Sequence, residues 1–249
     1  MKRLVIITGS SRGIGKSIAL EINRIYNKEC VFLLMARDIE NLNSVQSQIV
    51  LESESKNHVH LVQIDFSAQY QVSDYYSLLK NSFSNLVLES FHELIVFYNH
   101  GTLEFGSVSL VAQENLRTKF ETNLFSIWSL LSAINLFIPT SLIPKQIHVN
   151  ISSGYANESV ANWSGHCCAR AARDMLFKCF ALEQPTLKIL NYEPGIVYTD
   201  MLKQACEISD EYKDGYENGK FTKPEETSRR LVEIIRENTF SSGSKIKFN

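Results

Sequence analysis

The chain has no N-terminal apolar run long enough to be a signal h-region or a membrane span. Leu4-Val5-Ile6-Ile7 follows the basic pair Lys2-Arg3, but Thr8-Gly9-Ser10 interrupts it, well short of the roughly 20 residues a spanning helix needs. That run reads as a buried first strand, and no membrane is expected. Nor does either charge dominate: 25 Lys and Arg stand against 27 Asp and Glu, so no broad field recommends nucleic acid or anionic lipid. The expected partner is a small molecule. Cysteine is scarce and odd in number. Cys30, Cys167, Cys168, Cys179 and Cys206 lack metal-finger spacing and suit thiols kept reduced in the cytoplasm. His166-Cys167-Cys168 are consecutive, and neighbours on a helix point in different directions; no metal site is expected. Linkers rich in Pro, Gly or Ser, repeats and low-complexity tracts are also missing, so residues 1–249 are expected to form one domain.

What is present is alternation. Short apolar runs, of strand length, at 3–7, Cys30–Ala36, Val59–Ile64, Leu94–Tyr98, Gln146–Ile151, Leu187–Asn191 and Lys245–Phe248 alternate with amphipathic stretches. The stretches with helical spacing are Ile14–Tyr26, Asn41–Leu51, Val72–Phe83, Ala112–Phe137, Gly165–Glu183 and Glu225–Glu237. With 44% hydrophobic residues there is material for a substantial core. The pattern predicts an α/β, Rossmann-like doubly wound parallel sheet of about seven strands with helices on both faces. Residues 202–222 break the rhythm with a polar stretch, either a mobile lid over a site or a plain surface loop.

Directly after the first strand stands Thr8-Gly9-Ser10-Ser11-Arg12-Gly13-Ile14-Gly15, opening a helix. Glycines let a backbone approach a pyrophosphate closely, and the helix N-terminus offers free N–H groups and a partial positive charge. The second strand ends in Ala36-Arg37-Asp38. A protein selective for NAD places an acid there on the ribose; with Arg37 first in line, Arg37 and Arg12 can clamp the 2′-phosphate of NADP. Two further strand ends reach the same cleft: Ile64-Asp65-Phe66, where Asp65 is an adenine acceptor or a helix N-cap, and Tyr98-Asn99-His100-Gly101, where Asn99 is a cleft residue or a turn former.

From the T-G-x-x-x-G-x-G turn through Asn99-x-Gly101 to Pro194-Gly195 and Thr199, the chain resembles the short-chain dehydrogenase/reductase family. Asn150-Ile151-Ser152-Ser153, Trp163, Ala171–Leu176 and Leu190–Gly195 with Thr199-Asp200-Met201 are similar to the sepiapterin reductase branch. The resemblance implies NADPH-dependent reduction of a pterin side-chain carbonyl in tetrahydrobiopterin synthesis, and a homodimer formed through helices 112–137 and 165–183. It implies cofactor contacts from Gly9, Ser10, Ser11, Arg12, Gly13, Ile14, Gly15, Arg37, Asp38, Asp65, Phe66, Asn99, Arg170, Val197 and Thr199. Substrate contacts are implied for Ser153, Gly154, His166, Gly195 and Lys247.

Members of that family carry a catalytic Asn, Ser, Tyr and Lys. Asn123 and Ser153 match, but the spacing from Ser153 puts His166 where the Tyr belongs and Arg170 where the Lys belongs. A carbonyl that receives a hydride needs a proton on its oxygen. His166 is the substitute acid, although Arg170 one turn away favours its neutral form, and an imidazole is shorter than a phenol. Arg170 would grip the nicotinamide ribose. Lys247 stands where the resemblance implies an Asp that pairs with the pterin ring, so it presents donors to donors. The alternative is an NADP(H)-binding protein without catalysis, serving sensing or complex formation. A further reading is a carbonyl or alcohol substrate with an anionic group drawn by Lys247 and Arg170. The other account of both departures is a slip of register by a residue; Tyr155, two after Ser153, is the only nearby phenol, and it lies just past the fifth strand instead of on the following helix.

Overall fold

A computed structural model describes residues 2–26, 30–54, 56–103 and 105–248; Met1 and Asn249, the ends of the expected domain, lie outside them. Seven strands form one parallel sheet: β1 (Arg3–Thr8), β2 (Cys30–Ala36), β3 (His58–Gln63), β4 (Glu93–Tyr98), β5 (Lys145–Ile151), β6 (Lys188–Glu193) and β7 (Ser244–Lys247), in the order β3-β2-β1-β4-β5-β6-β7. The order reverses between β1 and β4. At such a switch point neighbouring crossovers leave to opposite faces and open a crevice at the carboxyl ends of the strands.

Burial explains the strand pattern. All seven residues of β2 are buried, as a parallel strand covered on both faces requires. One core joins Leu4, Ile6, Leu33, Leu94 and Val96 to helices α3 (Val72–Ser82), α5 (Ser126–Phe137) and α6 (Ser164–Glu183). The other joins Val5, Ile7, Phe32, Ile95 and Ile147 to α1 (Gly13–Tyr26), α2 (Ile39–Glu52) and α9 (Pro224–Glu237). Alternate residues of one strand thus face opposite cores. Helix α9 carries its own boundaries: Pro224 in the first turn, Glu225 and Glu226 against the positive end, and Asn238 in the left-handed conformation as C-cap.

Two expectations need correction. The stretch 112–137 is not one helix: α4 (Gln113–Phe120) passes into a π-helical turn at Glu121–Phe125 before α5. The apolar periodicity runs through that wider turn unchanged, which hid it. Residues 202–222 are largely helical rather than an irregular loop, with α7 (Asp200–Cys206) and α8 (Asp210–Glu217). Each is two turns or so, too short for a periodic signal, and their packing is mostly aromatic: Leu202, Ala205, Tyr212 and Tyr216 cluster with Leu103, Trp163 and Phe221.

Candidate functional site

A cleft of about 660 Å³ opens at the carboxyl ends of the strands, within the range of small-molecule and cofactor sites. Its rim begins with the glycine turn. Gly9 and Gly13 adopt φ of +65° and +54°, conformations that a side chain would strain. A Cβ on Gly15 would sit 2.3 Å from the Gly9 carbonyl oxygen, so only glycine lets the start of α1 close onto the turn. Met35 holds the turn from β2, accepting from Gly9 N at 2.7 Å. Asn99 braces it from β4, its Nδ2 donating to the carbonyls of Thr8 at 3.1 Å and Gly9 at 3.0 Å. Both readings of Asn99 therefore meet in one residue, a cleft lining that also ties two strand ends together.

Gly9, Ser11, Arg12, Gly13, Ile14, Arg37, Asp38, Asp65, Phe66, Asn99, Ser153, His166, Arg170, Gly195, Val197 and Thr199 all line this one cleft. Their detailed duties differ from the sequence reading. Asp38 caps α2, accepting from Asn41 N at 2.9 Å; the Asn41 bonds hold its carboxyl below the usual range. Asp65 closes a turn instead of capping a helix, accepting from Ser67 N at 2.9 Å. Arg12 pairs with Asp200 on α7 at 3.0 Å. Ser10 and Gly15 do not line the cleft; Ser10 is fully buried behind it.

At the other end of the cleft, Asn123 comes from the π turn. It lies behind the wall, buried, exchanging hydrogen bonds with Thr102: Thr102 N donates to its Oδ1 at 2.8 Å, and its Nδ2 donates to Thr102 O at 3.1 Å. Ser153 follows β5 and accepts from Tyr155 N at 3.2 Å through its hydroxyl. Gly154 faces Glu193 and does not line the cleft. His166 and Arg170 rise one turn apart from the start of α6, both almost fully buried yet lining the cleft. Arg170 Nη1 donates to Ile151 O at 3.0 Å, while Arg170 Nε and His166 Nδ1 have no partner among the described residues.

Sequence reasoning missed an aromatic wall. Trp163 stacks on Tyr212 at 5.4 Å and 28°, and meets Tyr155 at 5.2 Å and Phe105 at 5.1 Å. The hydroxyls of Tyr155 and Tyr212 are hydrogen-bonded to each other, and burial raises the Tyr212 phenol. The four rings, from Phe105 to Tyr212, come from three separate segments, so no local pattern announces them. Arg173 also escaped notice; fully buried, it donates to the carbonyls of Tyr98 and His100 and clamps the end of β4.

Residues 3–209 match the family described as short chain dehydrogenase. The chain belongs to the short chain dehydrogenase family. It is 29% identical to sepiapterin reductase of Bos taurus, over 99% of this chain and 94% of that protein, and 28% identical to that of Mus musculus, over 98% and 95%. It is also 23% identical to benzil reductase ((S)-benzoin forming) of Bacillus cereus, over 99% of each. Among solved structures, the KRED1-Pglu enzyme shares the fold with a TM-score of 0.82 at 22% identity, covering 98% of this chain and all (100%) of that one. An alcohol dehydrogenase from Thermococcus sibiricus complexed with 5-hydroxy-NADP has a TM-score of 0.78 at 18% identity, covering 100% and 96%.

In this short chain dehydrogenase, burial and neighbouring charge set the ionisation of His166 and Arg170. Burial, then the Arg170 charge, pull the His166 imidazole down to about 3 against a weak opposing pull from Thr102. Desolvation is thus the larger cause, where the sequence had pointed to Arg170 alone. Burial also lowers Arg170, to about 10, opposed by Asp174, and it remains a cation at neutral pH. Lys247 does not enter the cleft. Its Nζ pairs with Glu193 at 3.5 Å, and the side chain is 63% exposed; β7 is an edge strand, and a buried acid on neighbouring β6 draws the ammonium to itself. Its expected place on the substrate is corrected accordingly. Among the described residues no group of His, Cys, Asp or Glu could hold a metal, and no helix is long and apolar enough to cross a membrane.

Proposed function

We propose that this short chain dehydrogenase binds NADP(H) and reduces the carbonyl group of a small, flat, aromatic molecule. The glycine turn at the switch between β1 and β4 carries the cofactor half of the reading. Its backbone leaves no room for a Cβ at position 15, and α1 begins at the cleft with Gly13 and Ile14, where a helix N-terminus would hold a pyrophosphate. Arg12 and Arg37 stand on the same rim and would hold the 2′-phosphate, Arg12 by exchanging Asp200 for it. Family membership and the 5-hydroxy-NADP of a solved structure with this fold support the same cofactor.

Bound NADPH supplies the hydride. The chain's own residues orient the acceptor: the Ser153 hydroxyl would hold the carbonyl oxygen, and Asn123 fixes Thr102 at the wall. His166 is neutral at pH 7, so it serves the oxygen as a hydrogen-bonding imidazole and not as a ready acid. Proton transfer is the slow point of this reading. The names of the relatives make sepiapterin and benzil the first compounds to test. The segment 202–222, now helices α7 and α8, supplies Tyr212 to the aromatic wall and would act as the lid.

One observation favours a second reading. An imidazole held near 3 and a guanidinium in place of an amine suit an NADP(H)-binding protein whose chemistry has lapsed. Titration with NADPH and NADH followed by single turnover separates the two. Cofactor binding with carbonyl-dependent oxidation supports the reductase; binding without oxidation supports the second reading.

We also propose a cytoplasmic homodimer. Cys30, Cys167, Cys168, Cys179 and Cys206 are free, as a reducing compartment keeps them. Trp128 and Leu136 on α5 and Met175 and Leu182 on α6 are exposed, an apolar excess that a partner face would cover.

A further inference from the structure

We infer that the substrate half of the cleft is built for an aromatic 2-oxo acid, with its carboxylate against Arg170. The redox step rests on the reductase reading; the binding does not. Arg170 is only 5% exposed, yet it lines the cleft. Among the described residues its guanidinium has one neutral acceptor, Ile151 O, its Nε has no partner, and no carboxylate lies within ion-pair distance. Asp174, the acid that acts on it through space, is already engaged by Asn150 at 2.9 Å, Ser152 at 2.8 Å and Lys245 at 3.1 Å. A buried cation without a counter-charge is costly, and an anion entering the cleft removes that cost.

The lining divides by charge. Its acids, Asp38, Asp65 and Asp200, are occupied in a helix cap, a turn and the pair with Arg12. The part formed by Arg170, His166, Tyr155, Trp163 and Tyr212 contains a cation and, among the described residues, no acid. The dinucleotide's phosphates belong at the glycine turn, whereas Arg170 packs on Gly101, two residues beyond the Asn99 that braces the turn. The same region holds the ring stack. A planar carboxylate suits the guanidinium fork, a ring suits Trp163 and Tyr212, and a carbonyl between them lies toward Ser153 and His166. In the reaction the carbonyl carbon takes a hydride from NADPH, the C=O π pair moves to oxygen, and oxygen takes one solvent proton. The products are the 2-hydroxy acid and NADP⁺.

Calorimetric titration of the NADP⁺-saturated protein with benzoylformate and with its methyl ester tests this. The two probes share the ring and the carbonyl and differ in the charge. The acid is expected to bind at least about tenfold more tightly than the ester. R170Q should remove that preference and leave ester binding within about twofold; R170K, which keeps the charge, should preserve it if R170Q does not fold. Equal binding of acid and ester, binding of neither, or displacement of NADP⁺ by the acid would overturn the proposal. If the acid binds but NADPH is not oxidised by it, the anion site stands and the reductase reading fails.

Discussion

Converting His166→Tyr together with Arg170→Lys probes the chemistry at its weakest point. With the imidazole at about 3, the imidazolium is about 10⁻⁴ of the population at pH 7. A general acid typically contributes about 10²–10⁴-fold, so His166 supplies little of that near neutrality. A phenol at 166 beside an ammonium at 170 is protonated and longer, and the site already has room for a ring among Trp163 and Tyr155. The double variant should therefore raise the single-turnover rate of NADPH oxidation by sepiapterin about 10²–10⁴-fold at pH 7. Stopped-flow absorbance measures this directly. The parent protein, if its imidazolium donates, should instead quicken about tenfold for each pH unit lowered between 8 and 5. The reasoning is refuted if the double variant binds NADPH as the parent does and gains no rate.

Other perturbations follow from the same geometry. Gly15→Ala places a Cβ 2.3 Å from Gly9 O and 2.5 Å from Asn99 Nδ2; the backbone must move, and both thermal stability and NADPH affinity should fall, by about 1–3 kcal/mol in stability. His100, His148 and His166 are held neutral by burial. Their folded values lie below the unfolded 6.5, so the stability they contribute is present above that pH and is lost as pH falls below it. Each loses about 1.4 kcal/mol on going from pH 7.5 to 5.5, or about 4 kcal/mol for three, which thermal unfolding at the two pH values would detect as a drop of about 10 °C; an unchanged midpoint would contradict this. Trp128→Lys on α5 should shift sedimentation from dimer to monomer at micromolar concentration, and a parent that is already monomeric would refute the dimer.

The architecture was largely legible because parallel strands buried on both faces must be continuously apolar. β2 and β4 announce themselves this way, and glycine marks the turn after β1, where the backbone takes positive φ at Gly9 and Gly13. The edge strand at Ser244–Lys247 lies one residue before the stretch Lys245–Phe248 expected for it. The cleft rim was readable for the same reason, since its residues sit at strand ends that a parallel sheet gathers on one side. What stayed hidden depends on long-range contact. The π turn at Glu121–Phe125 preserves the apolar pattern, α7 and α8 take their packing from distant rings, and the wall of Tyr155, Trp163 and Tyr212 exists only once the chain is folded. Lys247 was misplaced because β6, which sequence alone does not set beside it in register, contributes Glu193. His166 was recognised as an odd acid, but the depth of its burial, which decides its protonation, is a tertiary property.

Titration of the purified protein with NADPH and NADH, followed by single-turnover oxidation with sepiapterin, benzil and benzoylformate, tests the central claim most directly. The account predicts NADPH binding at least about tenfold tighter than NADH and carbonyl-dependent oxidation of the bound cofactor. Equal affinity for the two dinucleotides, or no binding of either, would contradict it.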